Sequence, residues 1–427
     1  MHTVAPMLKR ILPVLAGACL GLVLAVVLLK QAAAWGFLPN RELNRSADYV
    51  REVMSLVNKH YVDVDDANYD RLAREAIHGL VGSLDPHSEF LEAEEFKYFE
   101  DDLDGEFGGI GVQVELRDGK VVIIAPIAGT PGERAGILRG DEIRSVDGRV
   151  VSDKTPMDDA INRLRGKPGT KVVIGLHRPS GNRDFEVSIV REQIEVESVR
   201  DVRLFEQNIG YIQLAEFSAR TGEQFLRALD SLIDQGARAL ILDLRNNPGG
   251  LLEAAVEVVE PFFREGELVV YTEGRAESDR EELRAEMTGE PLAMPVVVLI
   301  NGGTASAAEI VTGALKDTNR AVVLGERSFG KGSVQTLFKL RNGEGMRITT
   351  ARYCTPGGVS IHGHGIEPDV VLVMTPEQDG KLRLQRIRSD VTDAAEFKAR
   401  FGFTPIADAQ LDAAIDVLNG LRLLNQR

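Results

Sequence analysis

Apolar residues along this chain form runs of two kinds. Arg238–Leu244, Val296–Ile300 and Ala321–Gly325 are short and nearly continuous, with β-branched residues prominent. Such runs predict strands buried on both faces, since alternation is needed only where one face is wet. The first leads into Arg245-Asn-Asn-Pro-Gly249-Gly250 and the second into Asn301-Gly302-Gly303. Glycine tolerates positive φ, so both can turn the chain sharply. Helical patterns follow, over Leu251–Phe263 and from Ser306 to about Leu315. Repeated strand–turn units predict an α/β core whose site lies at the strand ends.

Helical spacing returns at both ends. Leu43–Tyr61 puts Val50, Val53, Met54, Val57 and Tyr61 on one face; Tyr69–Val81 does so with Leu72, Ala73, Ala76, Ile77 and Leu80. Ser83-Leu-Asp-Pro-His87 ends this pair. Lys381–Arg400 is charged and helix-prone, and after Pro405-Ile406 the residues Leu411, Ile415, Leu418 and Leu421 align. Both flanks fit packing on the neighbouring domain and also fit self-association. Ala276–Glu290 is charged and is expected to be a solvated loop or lid.

At the N-terminus, Lys9-Arg10 precede Ile11–Leu29, a run without charge that can span a bilayer. The basic pair favours a cytoplasmic start, so the rest of the chain is expected in the periplasm. Ala32-Ala33-Ala34 offers a signal-peptidase site. Lys30-Gln31 separates it from the long apolar run, and an uncleaved anchor is the favoured reading. Leu15 stands one step too far from Cys19 for a good lipoprotein signal.

Composition narrows the class. A chain of 427 residues allows two to three domains with substantial cores. Net charge is −15, from 50 basic and 65 acidic residues. No basic stripe points to nucleic acid. Cys19 and Cys354 are the two cysteines, and with Cys19 in the membrane run no intramolecular disulfide is expected.

The candidate chemistry lies in two turns. Ser306 stands in Asn301-Gly-Gly-Thr-Ala-Ser-Ala-Ala-Glu309, and Lys331 in Glu326-Arg-Ser-Phe-Gly-Lys331-Gly. A serine at a strand-to-helix turn meets free N–H groups and a partial positive charge, which can hold an oxyanion. A lysine can replace histidine as its base. To be neutral near pH 7 its pKa must fall by about 3 units, which requires a largely apolar pocket. Gln335 could orient the amine if its segment is helical, although Val334 and Thr336 also fit a strand. Alone, a serine at a helix start is an N-cap and a Gly-Lys-Gly an exposed turn. None of the seven histidines sits in a glycine-rich turn near a candidate nucleophile. His362-x-His364 lacks a third ligand at a plausible spacing, so neither metal nor cofactor is expected.

Asp243-Leu-Arg-Asn-Asn-Pro-Gly-Gly250, the Asn301–Glu309 motif and Gly325-Glu-Arg-Ser-Phe-Gly-Lys-Gly-Ser-Val-Gln335 together resemble the C-terminal processing (tail-specific) serine proteases, over roughly Leu43 to Val373. The resemblance implies Ser306 as nucleophile, Lys331 as general base and Gln335 as its orienting residue. It implies an oxyanion hole from the Ala307 N–H and an N–H of Gly249 or Gly250, and a core similar to the crotonase fold. It also implies a PDZ domain. Phe107-Gly108-Gly109-Ile110-Gly111-Val112 resembles the PDZ loop that binds a peptide C-terminus. Ala128–Ile137 and Gly140–Gly148 match the middle of such a domain, and Asp158–Leu164 the helix lining its groove.

The expected fold is therefore mixed α/β and multidomain. Its order is an anchor or signal segment (1–35), an N-terminal helical region (40–97), a PDZ domain (98–192), a protease core (193–375) and a C-terminal helical region (376–427). The expected function is a Ser–Lys endopeptidase cutting exported proteins near their C-termini. A non-catalytic PDZ scaffold and a crotonase-like acyl-transfer enzyme are the rivals. Some relatives act on cell-wall hydrolases and depend on a helical-repeat lipoprotein adaptor, so the resemblance extends to such partners; the amphipathic helical flanks add the expectation of a homo-oligomer.

Overall fold

The computed structural model describes residues 21, 40–117, 119–127, 129–388 and 391–425. Apart from Gly21, the Ile11–Leu29 run and Ala32–Ala34 lie outside the described residues. Among the described residues no helix is long and apolar enough to cross a membrane. Two compact units divide between Leu84 and Asp85.

The first unit is a pair of helices, α1 (Arg41–His60) and α2 (Tyr69–Gly82). Asn40 caps α1 by accepting from the Glu42 and Leu43 amides, and Lys59 and His60 sit at the negative end of its dipole. No residue of α1 is buried, so its apolar face, with Tyr49, Val50, Val53 and Leu56, stays exposed.

The second unit opens with β1 (Glu89–Leu91) and α3 (Ala93–Asp104). A small antiparallel domain follows: β2 (Glu106–Gly109), β3 (Val112–Arg117), β4 (Lys120–Pro126), β5 (Glu142–Val146), α4 (Met157–Leu164), β6 (Lys171–Arg178), β7 (Arg183–Val190) and β8 (Glu192–Glu195). Strands β3-β4-β5-β6-β7 lie side by side, and β2 pairs with β8. Ile110, Ile123, Ile143, Ile174 and Leu176 fill its core.

The larger domain comprises β9 (Val199–Phe205), β10 (Ile209–Leu214), α5 (Thr221–Asp234), β11 (Ala239–Asp243), α6 (Leu252–Val259), β12 (Leu268–Glu273), β13 (Glu281–Arg284), β14 (Val296–Ile300), α7 (Ala307–Asp317), β15 (Ala321–Gly325), β16 (Ser333–Lys339), β17 (Gly345–Cys354) and β18 (Val370–Val371). The main sheet runs β9-β10-β11-β14-β15-β18, parallel from β10 onward. Its central strands β10, β11 and β14 are buried on both faces, which is why they read as unbroken apolar runs, while the edge strands β9 and β18 are largely exposed. Leu240, Leu242, Val296 and Val298 pack toward α5, α6 and α7. Ala239, Ile241, Val297 and Leu299 pack on the opposite face. There the covering element is α10 (Ala409–Asn425), whose Ala414 and Leu418 are fully buried; α8 (Pro376–Ile387) and α9 (Ala394–Phe401) precede it.

A second, antiparallel sheet runs β1-β17-β12-β13, with β16 also on β17. The expectation of a plain loop or lid over Ala276–Glu290 needs correction, because this segment contains β13. Leu283 packs on the core and Ala285 is buried, so a charged stretch still carries enough apolar anchors to form an edge strand. The Gln335 segment is a strand, not a helix.

Candidate active site

The turns after β11 and β14 interlock. Asn301 Oδ1 accepts from the Asn246 N–H at 2.8 Å and the Gly303 N–H at 3.0 Å. Thr304 Oγ1 donates to the Leu244 carbonyl at 2.8 Å, and the Ala305 N–H to the Asn247 carbonyl at 2.9 Å. These bonds hold Ser306, at the N-cap of α7, with φ of 55° and ψ of −120°. A non-glycine residue there is strained and persists only where its surroundings over-determine it. Gly249 packs directly against it: a Cβ on Gly249 would lie 2.6 Å from Ser306 Cβ and 2.8 Å from the Ala307 nitrogen. Only glycine fits.

Hydrogen bonding separates the two glycines that the sequence left open. The Gly249 N–H donates to Asn247 Oδ1 at 2.8 Å, and the buried Asn247 is fixed by its bond to the Leu214 carbonyl. Among the described residues no acceptor takes the N–H of Gly250 or of Ala307.

Glu309 is the residue that sequence reasoning overlooked, although it lies inside a quoted motif. It is 0% exposed. Its Oε2 accepts from the Ser306 N–H at 2.9 Å and the Lys331 N–H at 2.8 Å. Its Oε1 accepts from the Gly330 N–H at 2.7 Å and Ser328 Oγ at 2.5 Å. One carboxylate, in the first turn of α7 where the dipole favours negative charge, thus ties the serine turn to the lysine turn. The Ser-x-x-Glu spacing of a capping box was its visible signal.

The lysine loop is clamped from the other side. The Gly363 N–H donates to the Gly330 carbonyl at 2.9 Å, and the Tyr353 N–H to the Gly332 carbonyl at 2.8 Å. A Cβ on Gly332 would strike the His362 nitrogen at 2.3 Å. Burial pushes the Lys331 ammonium below its ordinary pKa, the Arg347 charge adds to the fall, and Glu89 opposes it.

Among the described residues, no hydrogen bond joins Ser306 Oγ to the Lys331 ammonium, or Gln335 to Lys331. Gln335 Nε2 donates to Ser333 Oγ at 2.8 Å and Thr349 Oγ1 at 3.4 Å. Glu309 brings the main chains of serine and lysine together; their side chains are not hydrogen-bonded to each other.

The structure also brings in the Asp85–Ser88 turn, which the sequence showed only as a helix end. Asp85 Oδ1 accepts from the His87 and Ser88 amides, and Ser88 Oγ accepts from the Thr349 N–H at 3.1 Å. His87 comes close enough to Lys331 to feel it: burial, then the Lys331 charge, lowers the imidazole pKa.

A second site lies in the small domain. Phe107, Ile110, Val112, Val114, Ile161 and Leu164 line a groove of about 480 Å³, rimmed by Glu195–Glu197 and Arg200. Gly108 and Gly109 pair with Gln193 and Glu192 of β8. Ile110 and Gly111 lie between strands, and among the described residues no acceptor takes either N–H. Gly111 has φ of 71°, and a Cβ on it would strike Thr130 at 2.3 Å. Val112 opens β3, the strand edging the groove.

Comparison with known proteins agrees with this geometry. The profile of peptidase family S41 matches residues 208–372, and that of the PDZ domain matches 108–189. A carboxy-terminal-processing protease of Bartonella bacilliformis is 35% identical over 431 residues, covering 97% of this chain and 96% of its own. The carboxy-terminal processing protease CtpA of Bacillus subtilis is 38% identical, covering 81% and 71%. A solved photosystem II D1 C-terminal processing protease is 32% identical, covering 76% and 92%, with a TM-score of 0.45. The chain belongs to peptidase family S41, among the carboxy-terminal processing proteases, and is a serine-type peptidase with a PDZ domain.

Proposed function

We propose that this peptidase is an endopeptidase working through Ser306 and Lys331 on exported proteins, from or near their C-termini. The observation that carries the reading is the shared carboxylate, with Ser306 N–H and Lys331 N–H on one oxygen of the buried Glu309. The neutral Lys331 amine takes the Ser306 hydroxyl proton as Oγ bonds to the scissile carbonyl carbon. The carbonyl electron pair moves onto oxygen, and the Ala307 and Gly250 amides, both without another acceptor among the described residues, receive the oxyanion. Collapse breaks the C–N bond, and the Lys331 ammonium returns its proton to the departing amine. Water, activated by the same lysine, then releases the acyl group. Gln335 contributes through the strand that it anchors with Ser333 and Thr349.

The Ile110 and Gly111 amides, without an acceptor among the described residues, are assigned to the terminal carboxylate of a substrate or partner, and the apolar groove to its last side chain. The rim of that groove belongs to Glu195–Arg200, at the entry to the protease core, so a bound peptide touches both domains. The enzyme is assigned to the periplasm, tethered by Ile11–Leu29. A mature protein starting at Trp35 would contradict the tether.

Ser306→Ala and Lys331→Ala should each cut casein hydrolysis by about a thousandfold or more, with circular dichroism unchanged, because nucleophile and base act as a unit. A well-folded Lys331→Ala enzyme with full activity would overturn the assignment.

A further inference from the structure

We propose that Asp379 and Asp408, in the C-terminal helical segment beyond the family-matched residues, are positioning residues that set the oxyanion turn against the nucleophile turn. The inference rests on the protease reading of Ser306.

Two carboxylates make the connection. Asp379 lies in the first turn of α8, and its Oδ1 accepts from Asn246 Nδ2 at 3.1 Å and Asn301 Nδ2 at 3.3 Å. Asn246 belongs to the turn carrying Gly249 and Gly250, and Asn301 to the turn carrying Ser306. A single oxygen therefore spans both. The Asn246 N–H to Asn301 Oδ1 bond closes the triangle at 2.8 Å. Seven residues on, and so on the same face of α8, Arg386 reaches Asp408 at 2.6 Å.

Asp408 grips the residue next to Asn246. Its two oxygens accept from Arg245 Nη1 at 2.8 Å and Nη2 at 2.9 Å, while the Leu411 amide at the start of α10 also donates to it. Gln410 accepts from Arg245 Nη1 at 3.0 Å and donates to the Leu372 carbonyl. Arg245 is 3% exposed and bonds Asp243 through Nε and Nη2. Burial alone would raise the Asp243 carboxyl; Arg245, Arg386 and the Tyr211 hydroxyl outweigh it and hold the pKa at about 2. Asp243 is thus held as a carboxylate inside this hydrogen-bonded network, and α10 is pinned behind it by Ala414 and Leu418.

A structural ion network could sit anywhere on the core. This one ends on the two turns whose mutual spacing sets the oxyanion donors relative to Ser306 Oγ, and a displacement of about 1 Å at such a site can cost about a hundredfold in rate. Loss of the clamp should therefore lower kcat while leaving substrate capture intact.

The test uses the full chain, with active sites titrated by a fluorophosphonate and rates expressed per labelled Ser306. Asp379→Ala should lower kcat about tenfold, with KM within about twofold. Asp379→Asn keeps an acceptor oxygen and should retain most of the rate. Asp408→Asn should show the same kcat-selective loss, and thermal melting reports whether it still folds. If Asp379→Ala keeps wild-type kcat per labelled site, or if Asp379→Asn is as slow as Asp379→Ala, the clamp is wrong. Wild-type enzyme that is not labelled at Ser306 would instead sink the reading of the active site, and this inference with it.

Discussion

The Ser306 turn and the PDZ groove, both assigned above to a peptide ligand, are built from different material. Around Ser306 the walls are buried polar side chains spent on main-chain groups: Glu309 receives four donors, Asn301 binds two amides, Asn247 fixes Gly249 and Thr304 fixes Leu244. The groove has apolar side chains and two amides that meet no acceptor among the described residues. Chemistry needs atoms held to fractions of an ångström, so each turn is over-determined. Recognition of a chain end needs only a nest of amides and an apolar slot, which many sequences supply.

That contrast can be broken most forcefully at Glu309. Glu309→Gln preserves shape but leaves one acceptor oxygen where two served four donors. Unsatisfied buried donors cost about 1–3 kcal/mol each, so kcat should fall by about a hundredfold and Tm should drop. Peptide affinity of the groove should not change. Calorimetric titration of that variant with a C-terminal peptide checks the separation; a parallel loss of binding would show that the two sites are one construction.

The groove offers a smaller effect. Matched peptides ending in a free carboxylate or in an amide should differ in affinity by about tenfold, or about 1.4 kcal/mol. Equal affinities would remove the carboxylate role of the Ile110 and Gly111 amides.

What the sequence showed follows the same division. The strands before each turn were legible because both of their faces are buried, so their apolar runs are continuous. Ser306 and Lys331 stood out as candidates because each sits in its own glycine-rich motif. Partners distant in sequence were not: Ser88 meets Thr349, and Asp379 meets Asn246, through pairings that no local spacing encodes. The helical flanks looked alike and differ in outcome. Leu418 of α10 is buried on the sheet, while α1 buries nothing. Periodicity identifies an apolar face but not the surface that covers it. For Gln335, Val334 and Thr336 pointed correctly to a strand, and with that the helical spacing that would have aimed it at Lys331 was lost.

The most direct test of the Ser306–Lys331 pair is the pH dependence of fluorophosphonate labelling at Ser306, read by intact-protein mass spectrometry. Burial lowers the Lys331 pKa from its ordinary value of 10.5, and only the neutral amine accepts the serine proton. Labelling should therefore be slow in acid, where the ammonium is charged, and rise with pH along a limb centred below 10.5. In folded Lys331→Ala that limb should vanish and the rate collapse at every pH. Labelling of Lys331→Ala at the wild-type rate, with the limb intact, would contradict the pair.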